Sequence, residues 1–225
     1  MTNKYTKARL AKLRRLRGKK MTATKVKKIA QSVINKQVEF KRRLDYQSGI
    51  SLSSTTNGHI LFDGPQIAVG DGAEDRDGLQ VQLKKLRFKL QMAYKGVPTK
   101  VRLIGVRYPQ GSEAPALNQL LTHPTATQCF YSPWLKAGSV KYSIFCNKVV
   151  SLGGDAVMTS TYKERYTNIS VKLPKAGQRL TYENGSTQTP DKNRYVLFAI
   201  PNHIPAIADD RVIVSNFTET GFTDM

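Results

Sequence analysis

Between Leu86 and Met92 the chain alternates: Leu86, Phe88, Leu90 and Met92 point one way, and Arg87, Lys89 and Gln91 the other. That period of two is the mark of a half-buried β-strand. Residues 100–108 repeat the pattern, and further strand-like runs cover 140–152, 165–173, 195–200 and 211–218. Turn-forming stretches such as Tyr182-Glu-Asn-Gly-Ser186 and Gly111-Ser-Glu-Ala-Pro115 separate them. Only residues 116–121 read as a short helix within this region. Ahead of it the period changes. Val26, Ile29, Ala30, Val33, Ile34 and Val38 recur at spacings of three and four, which predicts an amphipathic helix over residues 25–42 with Thr22 or Thr24 at its start. No internal repeat is present. Many strands joined by Gly- and Pro-bearing loops predict an all-β sandwich or jelly roll.

Charge divides the chain more sharply than hydropathy does. The 225 residues carry a formal net charge of +20, from 36 Lys and Arg against 16 Asp and Glu. Residues 1–43 hold 16 of those basic residues and a single acid, Glu39. The remainder is close to balanced, at a net of +5. Like charge at this density repels itself, so residues 1–24 are expected to form a disordered arm, followed by the basic helix 25–42 and a folded domain over 43–225. A cationic tether of this kind calls for a polyanion, and nucleic acid is the commonest. The candidate phosphate-binding residues are Lys4, Lys7, Arg9, Lys12, Arg14, Arg15, Arg17, Lys19, Lys20, Lys25, Lys27, Lys28, Lys36, Lys41, Arg42 and Arg43. The strand residues Lys84, Lys85, Arg87 and Lys89 either extend that surface or form an ordinary solvated strand face.

Little in the sequence suggests catalysis. His59, His123 and His203 are widely separated and show no metal-ligand spacing. Cys129 and Cys146 are too few for a disulfide framework, and apolar or aromatic neighbours mark them as buried thiols. No nucleophile elbow, phosphate loop or dinucleotide fingerprint is found, and Asp209-Asp210 reads as a turn before a strand. No apolar run is long enough to span a bilayer, and no secretory leader is expected.

Four collinear stretches resemble a known group of proteins. They are Gly70-Asp71 through Arg76-Asp77-Gly78-Leu-Gln80-Val81; Val101-Arg-Leu-Ile-Gly-Val-Arg-Tyr-Pro109 with Ala116-Leu-Asn-Gln-Leu-Leu121; Ser132-Pro-Trp134 with residues 141–152; and Ile169-Ser-Val-Lys-Leu-Pro174 with Tyr182-Glu-Asn-Gly185 and residues 195–200. Each resembles a segment of the coat proteins of satellite tobacco necrosis virus and of small circular single-stranded DNA (CRESS-DNA) viruses. The arm is long for the plant satellite proteins, which leaves the virus group open.

The resemblance implies a single eight-stranded antiparallel jelly roll and a T=1 icosahedral shell of about 60 copies around a single-stranded genome. It implies a virion location with a host-nuclear phase, no enzymatic activity and no required cofactor. It also implies structural calcium held by positions matching Asp71, Asp77, Gln80 and Asp224, although Asp77 stands where the family has a hydroxyl residue. A ribosomal-type RNA-binding β-domain with a basic tail is the alternative; a jelly-roll lectin or enzyme with a fortuitous basic extension is another.

Overall fold

A computed structural model of the chain describes residues 22–27, 30, 39–53, 58–95, 98–109, 116–122, 130–135, 141–153, 162–205 and 208–225. The chain divides into residues 1–39 and 40–225. In the first unit, residues 23–27 and Ala30 are helical. The Thr22 carbonyl accepts hydrogen bonds from the amides of Lys25 (2.8 Å) and Val26 (3.1 Å). Helix thus begins at Ala23, inside the segment expected to be disordered.

Among the described residues the second unit holds nine strands: β1 (Phe40–Ser51), β2 (His59–Gly64), β3 (Gln80–Tyr94), β4 (Thr99–Tyr108), β5 (Ser143–Leu152), β6 (Lys163–Ser170), β7 (Gln178–Thr181), β8 (Arg194–Pro201) and β9 (Ile213–Asp224). They form two antiparallel sheets in the orders β1-β9-β3-β6 and β2-β8-β4-β5, with β7 added beside the first residues of β3. First and last strands lie side by side, and successive strands mostly alternate between sheets. That winding is the jelly roll, eight strands plus the short β7.

The expected helix does not run to residue 42, because Phe40 already opens β1. Pairing explains it: Phe40, Lys41 and Arg42 sit opposite Thr223, Phe222 and Gly221 of β9. The alternation there places Lys41 inward and Phe40 and Arg42 outward, a polar pattern that hydropathy does not register as a strand.

Two apolar layers hold the sandwich. Between the sheets, Leu86, Phe88, Leu90 and Met92 of β3 pack with Val101, Leu103, Leu197 and Ala199 in the main core. Phe88 meets Phe62 edge-on at a centroid distance of 5.0 Å and stacks near Phe145 at 6.1 Å. Burying a side chain of that size contributes roughly 1.5–3 kcal/mol. Gly105 allows the close fit of β5 onto β4: a Cβ there would lie 2.4 Å from the Phe145 ring.

A second apolar layer covers the other face of β4 and β8. Ile104, Val106, Val196, Phe198 and Ile200 pack under the one-turn helix Leu117–Leu120, with Leu121, Phe130 and Trp134. Both faces of β8 are therefore covered, and all eight of its residues are buried. This is why its sequence reads as a continuous apolar run rather than an alternation.

The loop from Val69 to Leu79 is fastened by Arg76, whose side chain is completely buried. Its guanidinium donates to the carbonyls of Ile67 (3.1 Å), Gly78, Asn184 (3.1 Å) and Thr187 (2.7 Å). It also lies 4.0 Å from the centre of the Tyr182 ring. Planar five-donor geometry suits this task; a lysine could not reach four carbonyls. Burial pulls the Arg76 pKa down and pushes that of Tyr182 up.

Candidate nucleic-acid interface

The β1-β9-β3-β6 sheet packs one face on the core and leaves the other open. Strand register places the side chains of that open face in rows. Arg42 and Lys85 flank Gly221; Leu44, Glu219, Arg87 and Ser170 follow; then Tyr46, Phe217, Lys89 and Asn168. Gln91 next pairs with Tyr166 on one side and Ser215 on the other. Arg87, Lys89 and Gln91 thus occupy the outward side that their alternation requires.

Three cations, Arg42, Lys85 and Arg87, are grouped around one carboxylate, and Lys89 follows in the next row beside Phe217. Glu219 receives Arg42 Nε at 3.0 Å and Lys85 Nζ at 2.5 Å. The Lys85 hydrogen bond outweighs the cost of desolvation, so the Glu219 pKa falls below the usual carboxylate range. With Glu164 beside Tyr166 on β6, two acids stand against four bases on this face, and Glu219 fixes where two of the bases lie.

Aromatic rings interleave with these charges. Tyr46 and Tyr166 are 65% and 66% exposed, and Phe40 is 55% exposed. Phe217 is half-buried, with Lys89 Nζ at 5.8 Å from its ring centre. Phe40 lies across the sheet because position 221 is glycine: a Cβ there would come within 2.5 Å of the Phe40 ring. Tyr166 receives a hydrogen bond from Gln91 at 3.2 Å and donates to Glu164, which raises its pKa. Exposed rings and cations are what single-strand-binding surfaces combine: bases stack and phosphates pair.

Among the residues read from sequence, Lys25 and Lys27 are helical and exposed. Lys4, Lys7, Arg9, Lys12, Arg14, Arg15, Arg17, Lys19, Lys20, Lys28 and Lys36 lie outside the described residues. Arg42 is on the open face. Arg43 points to the other side and donates to Asp45 Oδ1 at 2.8 Å. Lys41 is withdrawn altogether, being 4% exposed. Its ammonium donates to the Asp75 carbonyl (2.9 Å) and pairs with Asp77 Oδ1 (3.0 Å) and Asp224 Oδ2 (2.9 Å). Desolvation disfavours the charged Lys41, but hydrogen bonds with Asp224 and Asp77 outweigh it, and its pKa is raised. The Lys41 hydrogen bond in turn lowers the pKa of Asp77.

The four positions matched to calcium do not fit a cation cage. Lys41 occupies the oxygens of Asp77 and Asp224, and Gln80 Oε1 accepts from Arg179. Asp71 is exposed in its loop. Among the described residues, no group of three or more His, Cys, Asp or Glu side chains is placed to hold a metal.

Cys146 is a buried free thiol whose pKa burial pushes up; Cys129 and His123 lie outside the described residues. A cleft of about 220 Å³ opens between β1 and β2, lined by Asp45, Asp63, Gln66 and Asn216 among others. Its carboxylates are matched, Asp45 by Arg43 and Asp63 by Arg194. Among the described residues, no helix is long and apolar enough to cross a membrane.

No family model matches the chain, and no curated protein matches it. Solved structures that resemble it include those of viruses. Desmodium yellow mottle tymovirus shares 11% identity over 83% of this chain and 88% of that one, at a TM-score of 0.38. Turnip yellow mosaic virus shares 10% identity over 84% of this chain and 94% of that one, at 0.35. A semi-empty VLP of the giant freshwater prawn Macrobrachium rosenbergii nodavirus shares 11% over 83% of each chain, also at 0.35. These likenesses are remote; the strand order itself is what identifies the jelly roll.

Proposed function

We propose that the chain is a viral coat protein that self-assembles into a small T=1 shell and packages single-stranded nucleic acid. The observation that carries this reading is the division of charge. Residues 1–39 hold 13 Lys and Arg against the single acid Glu39. They lead directly into β1, the edge strand of the sheet whose open face is basic and aromatic. A ribosomal-type RNA-binding domain would share the basic tail, but the collinear resemblance to coat proteins favours the shell.

Charge neutralisation then couples packaging to closure. With about 60 copies, each contributing roughly 12 net arm charges, the interior would offset about 720 phosphates by counterion release. Arg87 and Lys89 would add to that figure, whereas Lys85 is paired with Glu219. Lys41, Arg42 and Arg43 contribute less than their charge suggests, since each is paired with an acid. Binding by flexible cations reads phosphate rather than base edges, so weak sequence selectivity is expected. The resemblance to CRESS-DNA viruses and a basic arm able to serve as a nuclear import signal favour DNA over RNA as cargo.

The test is direct. Purified full-length protein, alone and with single-stranded DNA, is examined by electron microscopy and sedimentation. Uniform closed particles are expected; monomers persisting across salt and pH with nucleic acid present would refute the proposal. Deleting residues 1–20 should lower nuclease-protected nucleic acid per particle while the sandwich stays folded.

A further inference from the structure

β1 and β2 each form one edge of a sheet, and between them the sandwich opens into the cleft of about 220 Å³. Asn216 of β9 lines it and is only 2% exposed. Its Nδ2 donates to the Leu61 carbonyl at 2.9 Å and to Thr218 Oγ1 at 3.1 Å. The Leu61 carbonyl can only accept, which fixes the amide and leaves Oδ1 over. Among the described residues nothing donates to that oxygen. A buried acceptor without a donor is costly and rare in folded proteins. Asp45 is its diagonal neighbour across the ladder, which pairs Asp45 with Thr218 and Gln47 with Asn216. Such diagonal positions lie roughly 7–8 Å apart, a span that one ring system bridges. We propose that this cleft takes a single nucleobase and that its lining selects guanine.

Size, charge and hydrogen-bond pattern support the assignment. The cleft is smaller than the roughly 300–1,000 Å³ of pockets for drug-sized ligands, so it suits one ring system with the sugar left outside. Asp45 is paired with Arg43 and Asp63 with Arg194; these charges cancel, which favours a neutral ligand over an ammonium. An ionised carboxylate only accepts, at about four positions, of which Arg43 Nε takes one at Asp45. Guanine is the base whose pairing edge sets two N–H donors side by side. Its ring N–H and one amino hydrogen suit Asp45, and the second amino hydrogen suits Asn216 Oδ1. Adenine and cytosine place a ring acceptor beside the amino group, and uracil flanks its one N–H with carbonyls, so each turns a lone pair toward the carboxylate. Gln47 and Gln66 carry amide N–H groups for the guanine carbonyl, and Phe62 supplies an apolar wall for the ring. That the ligand is a base, rather than another neutral donor, rests on the nucleic-acid reading above.

Nucleosides carry no phosphate, so they probe the cleft without engaging the basic arm. The full-length chain is titrated calorimetrically with guanosine, inosine, adenosine, cytidine and uridine, and by fluorescence anisotropy with labelled oligothymidylate. Guanosine should bind saturably, one per chain, and the other nucleosides at least about tenfold more weakly; inosine falls in that group because it lacks the amino group. Asp45→Asn should weaken guanosine by about tenfold or more and leave oligothymidylate affinity unchanged. Three results would overturn the proposal: no saturable guanosine binding, in which case the cleft holds only water; equal binding of all five nucleosides; or undiminished guanosine binding by Asp45→Asn. If that variant does not fold, guanosine against inosine on the wild type decides. Guanosine binding without oligothymidylate binding would sink the packaging reading and leave the guanine site standing.

Discussion

Replacing both Arg87 and Lys89 by Gln tests whether the open sheet face binds nucleic acid at all. The two side chains are exposed and lie two residues apart on β3, a rise of about 6.8 Å along the strand. They are therefore placed to meet successive groups of one backbone. Each phosphate contact on a single strand contributes about 0.7 to the slope of log K against log salt. Losing two should flatten that slope by roughly 1.4. At about 0.1 M salt the same two contacts amount to about 1.4 log units, so affinity should fall on the order of 25-fold. Gln keeps the polar outward positions of the alternation, and exposed substitutions of this kind shift stability by no more than about 0.5 kcal/mol. The assay is fluorescence anisotropy with a labelled single-stranded oligonucleotide, run across a salt series on full-length protein, with thermal melting as the folding control. An unchanged slope in a normally folded variant would show that the arm alone carries binding and that this face is merely solvated.

Three other outcomes follow from the geometry. Arg76→Met leaves four carbonyls, one buried and three partly buried, without their donor and should cost about 1–3 kcal/mol, read as a shift in the urea midpoint; a loss below about 0.5 kcal/mol would mean the loop repacks freely. Gly105→Ala drives a Cβ to 2.4 Å from the Phe145 ring and should cost roughly 1–3 kcal/mol by overpacking, again measured by chemical denaturation, whereas a neutral result would put the ring elsewhere. The pKa values of Glu219 and Asp77 are both lowered in the fold. Their contribution is therefore complete above the ordinary carboxylate range, near pH 4, and is lost as pH falls through the folded values. Melting temperature should drop on acidification below about pH 4, and by less in Glu219→Gln; an equal drop in that variant would remove Glu219 from the explanation.

How much was legible beforehand differs strand by strand. β3 declared itself because its two sides differ: Leu86, Phe88, Leu90 and Met92 are buried, while Arg87 and Lys89 are exposed. The strands β4, β5 and β6, the first half of β9, and β8 as an apolar run were also found from the sequence, and so was the one-turn helix at Leu117–Leu120. β1 was not, because its pattern is reversed: Lys41, Arg43 and Asp45 take the inward positions while Phe40, Leu44 and Tyr46 face outward. β2 is six residues long and carries a register shift between Ile60 and Phe62 that breaks the alternation. β7 is only four residues long.

The candidate site divides the same way. Cationic density at the N-terminus is a property of composition, so the chain alone raised the expectation of a polyanionic partner and of a β-domain behind the arm. Which cations remain available was decided by tertiary structure. Lys41 and Arg43 sit beside Arg42 in sequence, yet strand alternation turns them inward to acids 36 and two residues away. The aromatic and basic face likewise joins Tyr46, Lys89, Tyr166 and Phe217, four positions on four strands. No local pattern links them, because only antiparallel register brings them into adjacent rows.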